Sequence, residues 1–160
     1  MKSLKISLIL VLASVLATTA QTVLKISGEV ATPLALQASD IAGFPHVQVK
    51  AADRDGKTHT YDGVPVFELL KKAGVTLGGQ LRGENLVKYA LVRAADGYEV
   101  LFALPELDPD YSARTIILAD KADGAALPAG TGPYRFVVPE EKKPARWIRE
   151  VREIEIKFAK

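Results

Sequence analysis

The chain has 160 residues and carries 21 basic and 19 acidic side chains. This near balance of charge argues against nucleic acid as a partner, because binding a phosphate backbone needs a surplus of basic side chains. The sequence has no cysteine, which excludes disulfides, catalytic thiolates and thiolate metal ligands. With only two histidines, His46 and His59, a histidine-rich metal site is not expected.

Residues 1–20 have the pattern of a secretory signal peptide. Lys2 and Lys5 give a basic start, residues 6–17 form an apolar run, and Ala20 is a small residue suited to cleavage. The run is shorter than the roughly 20 apolar residues that span a membrane. We therefore expect cleavage to leave residues 21–160 as a single soluble domain without a membrane span, periplasmic or secreted, in a bacterium.

The first part of the mature chain predicts strands that end in a hairpin. Asp55-Gly56 is a turn dipeptide between two alternating segments, which is typical of a hairpin tip. The predicted elements are strands over residues 23–30, 34–36, 46–50 and 58–61, and one helical turn over residues 41–44.

One short helix follows the hairpin directly. Pro65 suits the first helical position, and Gly74 suits the residue just past the helix end. The apolar side chains predicted for its buried face are Val66, Phe67, Leu70 and Ala73. A single apolar stripe of this kind needs a sheet to cover it.

The remaining sequence is mostly strand. Asp96-Gly97 turns a second hairpin, and residues 105–111 predict a helical turn or loop. Strands are predicted over residues 87–94, 98–103, 115–119 and 134–138, and one long strand or two over residues 147–158. The fold class is therefore α+β, a β-rich mixed or antiparallel sheet domain with few short helices.

Five motifs in a fixed order carry a family resemblance. In chain order they are GVPVFELLKKAGV, ADGYEVLFALPEL, ILADKADGAALP, GPYRFVVP and ARWIREVREIEI. This succession resembles the molybdopterin-binding domain of the sulfite oxidase family over nearly all of residues 46–158. The resemblance implies a sulfite-oxidase-type molybdopterin-binding fold.

The chain departs from that family at the metal ligand. The family binds molybdenum through a pterin dithiolene and one cysteine, and the corresponding position falls near Ala51-Ala52. Arg135 stands at the family's arginine, and Arg146-Trp147 at its Lys-Trp pair. The resemblance thus implies a cofactor-binding groove formed by Arg135, Arg146 and Trp147, with Tyr98 at its edge.

The residues themselves leave alternatives open. Arg135 points away from Tyr134 and Phe136 by alternation, so it needs either a carboxylate partner or a bound anion. Tyr98 is either a core aromatic or the edge of a cleft. His46 and His59 could face each other across the first hairpin, although two histidines do not complete a metal site.

Two functions follow from these observations. In the first, the domain is a non-catalytic binding module without a cofactor, whose partner is a small anionic ligand or a periplasmic protein. In the alternative, it is a molybdopterin-dependent oxidoreductase that holds its cofactor without a cysteine. The missing thiol favours the first.

Overall fold

The computed structural model describes residues 23–159, so the predicted signal peptide lies outside the described residues. Within this range the chain forms ten strands, three α-helices and three short 3-10 helices. The strands are β1 (Val23–Gly28), β2 (Leu34–Gln37), β3 (Val47–Ala52), β4 (Thr58–Pro65), β5 (Lys88–Ala94), β6 (Glu99–Ala103), β7 (Ile117–Ala122), β8 (Ala125–Ala126), β9 (Arg135–Val137) and β10 (Val151–Phe158). The α-helices are α1 (Ala38–Ala42), α2 (Val66–Lys72) and α3 (Leu104–Leu107), and the 3-10 helices cover Gly78–Gln80, Gly83–Val87 and Pro144–Arg146.

The first sheet is mixed, with the strand order β2-β1-β10-β5-β6. β1 and β10 are parallel, and the other neighbours are antiparallel. A bulge between Val151 and Glu153 shifts the register, which lets both Val151 and Ile154 face the core. The strand predicted from residue 147 begins only at Val151, because the preceding residues belong to a 3-10 turn and an irregular segment.

The second sheet is antiparallel, with the order β3-β4-β7-β8 and with β9 on β7. Its centre depends on Gly63 in β4. A Cβ atom at this position would lie 2.3 Å from the Leu118 carbonyl oxygen and 2.6 Å from the Ala119 Cα atom. The close approach of β4 and β7 therefore requires a glycine here.

The two sheets and α2 share one hydrophobic core. The rings of Phe102 in β6 and Phe136 in β9 lie 5.5 Å apart across it. α2 buries Val66, Leu69 and Leu70; the predicted Phe67 is instead only partly buried, because a helix that starts at Val66 turns Leu69 inward. Among residues 23–159, no helix is long and apolar enough to cross a membrane.

The ends of α2 are set by its flanking residues. Pro65 is the capping residue and the last residue of β4 rather than the first helical position. Gly74 follows the helix with φ +69°. Hydrogen bonds from its N–H to Lys71 O (3.0 Å) and from Val75 N–H to Leu70 O (3.1 Å) form a Schellman motif.

Candidate functional site

Arg135 and Asp53 form an ion pair between the start of β9 and the hairpin turn that precedes β4. Arg135 is only 7% exposed, and its Nη1 donates to Asp53 Oδ2 over 2.8 Å. The Tyr61 hydroxyl donates to the same oxygen over 2.7 Å. Partial burial raises the pKa of Asp53, but hydrogen bonds from Tyr61, the Arg54 N–H and Arg135 outweigh it and leave this pKa below its ordinary value. Arg135 thus has a carboxylate partner, which is one of the two alternatives predicted from the sequence.

Two aromatic rings fix the same guanidinium group. Its carbon lies 5.6 Å from the ring centre of Tyr61 and 5.3 Å from that of Trp147. The two rings meet edge to face with their centres 5.8 Å apart. Trp147 is anchored in turn by its indole N–H, which donates to the Val138 carbonyl over 3.1 Å. The guanidinium of Arg135 is therefore held in one orientation before any ligand arrives.

A cavity of about 290 Å³ opens beside this pair, here called the first cavity. It contains three arginines, two aspartates and one histidine. Its lining residues are Asp53, Arg54, Asp55, His59, Thr131, Arg135, Trp147 and Arg149. Within residues 23–159 no carboxylate lies within 4.0 Å of the basic nitrogens of Arg54 or Arg149. The side chains that line the first cavity therefore carry three positive and two negative charges when the histidine is neutral.

A second cavity of about 270 Å³ adjoins the first and shares Arg54, Trp147 and Arg149 with it. Tyr98 lines this second cavity and is 54% exposed. Its hydroxyl lies 3.5 Å from the Ala145 carbonyl oxygen. Tyr98 is thus at the edge of a cleft and is not a core aromatic.

Arg146 lies outside both cavities. Its Nη2 is 2.9 Å from Glu106 Oε1 and 2.5 Å from Glu141 Oε1. Its guanidinium carbon also stacks 4.6 Å from the ring centre of Phe102. Two carboxylates and an aromatic ring hold Arg146 in this position. Of the predicted site residues, Arg135 lines the first cavity, Tyr98 the second, and Trp147 both.

Sequence reasoning missed Arg54 and Arg149 as members of this site. Arg54 sits in a turn of mixed charge, and Arg149 follows a basic run that is typical of a solvated face. Tertiary packing brings these two distant residues to one cavity. A single sequence does not show which distant residues pack together.

The two histidines do not face each other. Ala51 pairs with His59 and Val47 with Gly63, so His46 and His59 lie at opposite ends of the first hairpin. His46 contacts Asp120 (3.4 Å), whereas His59 lies between Asp55 and Asp123. In the described part of the chain, no group of three or more histidine and acidic side chains is arranged to hold a metal ion.

The sequence model of the oxidoreductase molybdopterin binding domain matches residues 13–159. The chain belongs to this family. The structure is also similar to the sulfane dehydrogenase SoxCD from Paracoccus pantotrophus, with a TM-score of 0.69 and 23% identity. That match covers 86% of this chain and 38% of the SoxCD chain, so the domain spans well under half of the length of that protein. No curated protein matches the sequence.

The family confirms the predicted fold, but the residues of this chain do not fit a molybdenum centre. Ala51, at the expected ligand position, is 6% exposed and lies opposite His59 on β4. A methyl group has no donor atom, and the sequence contains no cysteine to replace it. A carboxylate or an imidazole is a harder ligand than the thiolate that the family resemblance implies at this position. No step of a mechanism can be derived through a metal at this position.

Proposed function

We propose that this member of the molybdopterin-binding family is an exported, non-catalytic module that binds a small anion in the first cavity. The observation that carries the proposal is the presence of Arg54 and Arg149, which have no carboxylate partner among residues 23–159, beside the oriented guanidinium of Arg135. Guanidinium groups bind oxyanions through paired, charge-assisted hydrogen bonds. Export rests on residues 1–20, whose pattern directs a chain to the periplasm or the exterior.

Arg135 contributes orientation more than net charge. Asp53 neutralises it and accepts a hydrogen bond from Nη1, while Nη2 makes no hydrogen bond to another described residue. The buried ring of Trp147 forms an apolar wall on one side of the cavity. An anion held between Arg54 and Arg149 therefore meets one guanidinium group, that of Arg135, which is already oriented, and this lowers part of the entropic cost of binding.

The non-catalytic part of the proposal rests on the missing thiol and on the side chains that remain. Asp53 is tied to Arg135 and Tyr61, and Asp55 and His59 are tied to each other. Burial and the hydrogen bond to Asp53 raise the pKa of Tyr61, so it stays a neutral phenol. Membership in the family favours the alternative, a molybdopterin-dependent oxidoreductase without a cysteine ligand.

Sulfate binding to purified mature protein tests the anion site. We expect Arg54→Ala and Arg149→Ala each to weaken sulfate binding about tenfold, the lower end of what a charged hydrogen bond contributes. Arg82→Ala is the matched control, because Arg82 is also exposed but lines neither cavity. Equal sulfate affinities in all three variants would contradict the assignment of the site.

Elemental analysis separates the two functions. Protein purified from its native host should contain far less than one molybdenum atom per chain. A content near one atom per chain would show that another ligand replaces the thiolate, and the oxidoreductase alternative would then replace the non-catalytic proposal.

A further inference from the structure

His59 lines the first cavity and is held between two carboxylates. Its Nδ1 lies 2.6 Å from Asp123 Oδ2, and its Nε2 lies 3.0 Å from Asp55 Oδ2. A neutral imidazole has one N–H donor and one acceptor, whereas a carboxylate only accepts. Both contacts are therefore satisfied only when the ring is a doubly protonated imidazolium.

Both carboxylates are fixed independently of the histidine. Asp55 Oδ1 accepts the Lys57 N–H over 2.9 Å, and Asp123 Oδ1 accepts the Thr60 N–H over 2.9 Å. Asp55 belongs to the turn between β3 and β4, and Asp123 to the turn between β7 and β8. His59 thus joins two turns whose acceptors are already in place, and the first of these turns also carries Arg54.

We propose that His59 is a proton-controlled switch for anion binding in the first cavity. When the ring is protonated, it holds the two turns together and adds one positive charge to the cavity wall. When the ring is neutral, one of the two carboxylates loses its hydrogen bond from the ring, and the cavity loses the positive charge of the imidazolium. This inference rests on the proposed anion-binding function and adds its regulation by pH.

The direction of the effect follows from the surrounding groups. Hydrogen bonds to Asp123 and Asp55 raise the pKa of His59 above its ordinary value. The His59 ring is therefore protonated below the ordinary histidine pKa of about 6.5. It loses its proton as the pH rises through the higher pKa that it has in the folded protein. The other charged or titratable groups that face the ring or the cavity are Asp53, Arg54, Asp55, Tyr61, Asp123, Arg135 and Arg149. Aspartic acid and arginine ordinarily titrate far from neutral pH, and burial raises the pKa of Tyr61. His59 is therefore the group at this cavity whose charge changes near neutral pH.

The test is the affinity for sulfate measured from about pH 5.5 to about pH 8.5, a range that brackets the ordinary pKa of histidine. Sulfate keeps its double charge over this range, so a change in affinity reports the protein. One unit charge about 6 Å from a doubly charged anion changes the affinity about ten- to hundredfold at effective dielectric constants of about 80 to 40. We expect the sulfate affinity of the unmodified protein to fall by that factor as the pH rises. The sulfate affinity of His59→Gln should not change with pH.

His46→Gln is the matched control. Its side chain is 28% exposed against 25% for His59, it contacts an aspartate too, and it lies at the other end of the same hairpin, outside the first cavity. This variant should keep the pH dependence of the unmodified protein. If the sulfate affinity of His59→Gln falls with rising pH as much as that of the unmodified protein, the switch is refuted but the anion-binding proposal stands. Absence of sulfate binding at every pH would refute the proposed function and the switch together.

Discussion

Replacing Asp53 with Asn tests whether the buried ion pair with Arg135 holds this site together. Asp53 Oδ2 accepts from Arg135 Nη1 at 2.8 Å and from the Tyr61 hydroxyl at 2.7 Å. The side chains of Arg135 and Asp53 are only 9% and 18% exposed. Removing one partner of a fully buried pair costs about 3–5 kcal/mol, because the other charge is left without a partner.

The expected loss of unfolding free energy is about 2–4 kcal/mol, below that range because Asp53 keeps some exposure and the Asn amide oxygen still accepts one hydrogen bond. With a urea dependence of about 2 kcal/mol per molar, the unfolding midpoint falls by about 1–2 M. A urea melt at neutral pH measures the midpoint. Removing both charges, in Asp53→Asn with Arg135→Met, should recover part of the loss, which a double-mutant cycle reports.

Asp62→Asn is the control, because Asp62 lies on the same hairpin and its carboxylate accepts an exposed hydrogen bond from Gln48. It should change stability by no more than about 0.5 kcal/mol. The difference in unfolding free energy between Asp53→Asn and the unmodified protein should also become smaller at acidic pH. The lowered pKa of Asp53 means that its contribution is present above the ordinary value of 3.8 and is lost as the pH falls through the folded value. An Asp53→Asn midpoint equal to that of Asp62→Asn would refute the reasoning.

Two further substitutions test the fold and the boundary of the site. Gly63→Ala should prevent β4 from lying against β7 and lower the melting temperature, because the new methyl group meets the Leu118 carbonyl. Gly79→Ala should leave the melting temperature nearly unchanged, because a Cβ atom there meets no described atom within 4 Å. Equal melting temperatures of the two variants would show that the sheet adjusts. Arg146→Ala should lower the melting temperature, because the pairs of Arg146 with Glu106 and Glu141 are lost. It should leave the sulfate affinity unchanged, and a tenfold weaker affinity would place Arg146 in the anion site.

Local chemistry made the hairpin tips and α2 predictable. Asp55-Gly56 and Asp96-Gly97 both mark turns between paired strands, and Gly56 and Gly97 take positive φ values of 75° and 85°. Arg135 was predicted to be buried with a counter-charge because it alternates with two aromatic residues, and its partner proved to be Asp53. The turns and the alternation depend on neighbours within a few residues, which a single sequence displays. The identity of the partner of Arg135, 82 positions away, does not.

Pairings over long distances were beyond the sequence. Nothing in the strand patterns distinguishes one sheet from two, because alternation reports which face is buried and not which strand lies alongside. Arg146 appeared equivalent to Arg135 until the structure showed Glu141 and Glu106 beside it. Arg54 and Arg149 belong to the cavity only because the β3–β4 turn reaches the segment before β10.

The position of β10 has a consequence for how the domain acquires its structure. This last strand lies in the middle of the first sheet, and Ser27 in β1 meets Glu153 across 126 positions of sequence. Until β10 is synthesised, β2-β1 and β5-β6 remain two separate pairs, each too small to be stable in water. Contacts between such distant segments also form slowly, because the intervening loop must close first. The two halves of the first sheet therefore join only when β10 is available, so this sheet forms late in synthesis.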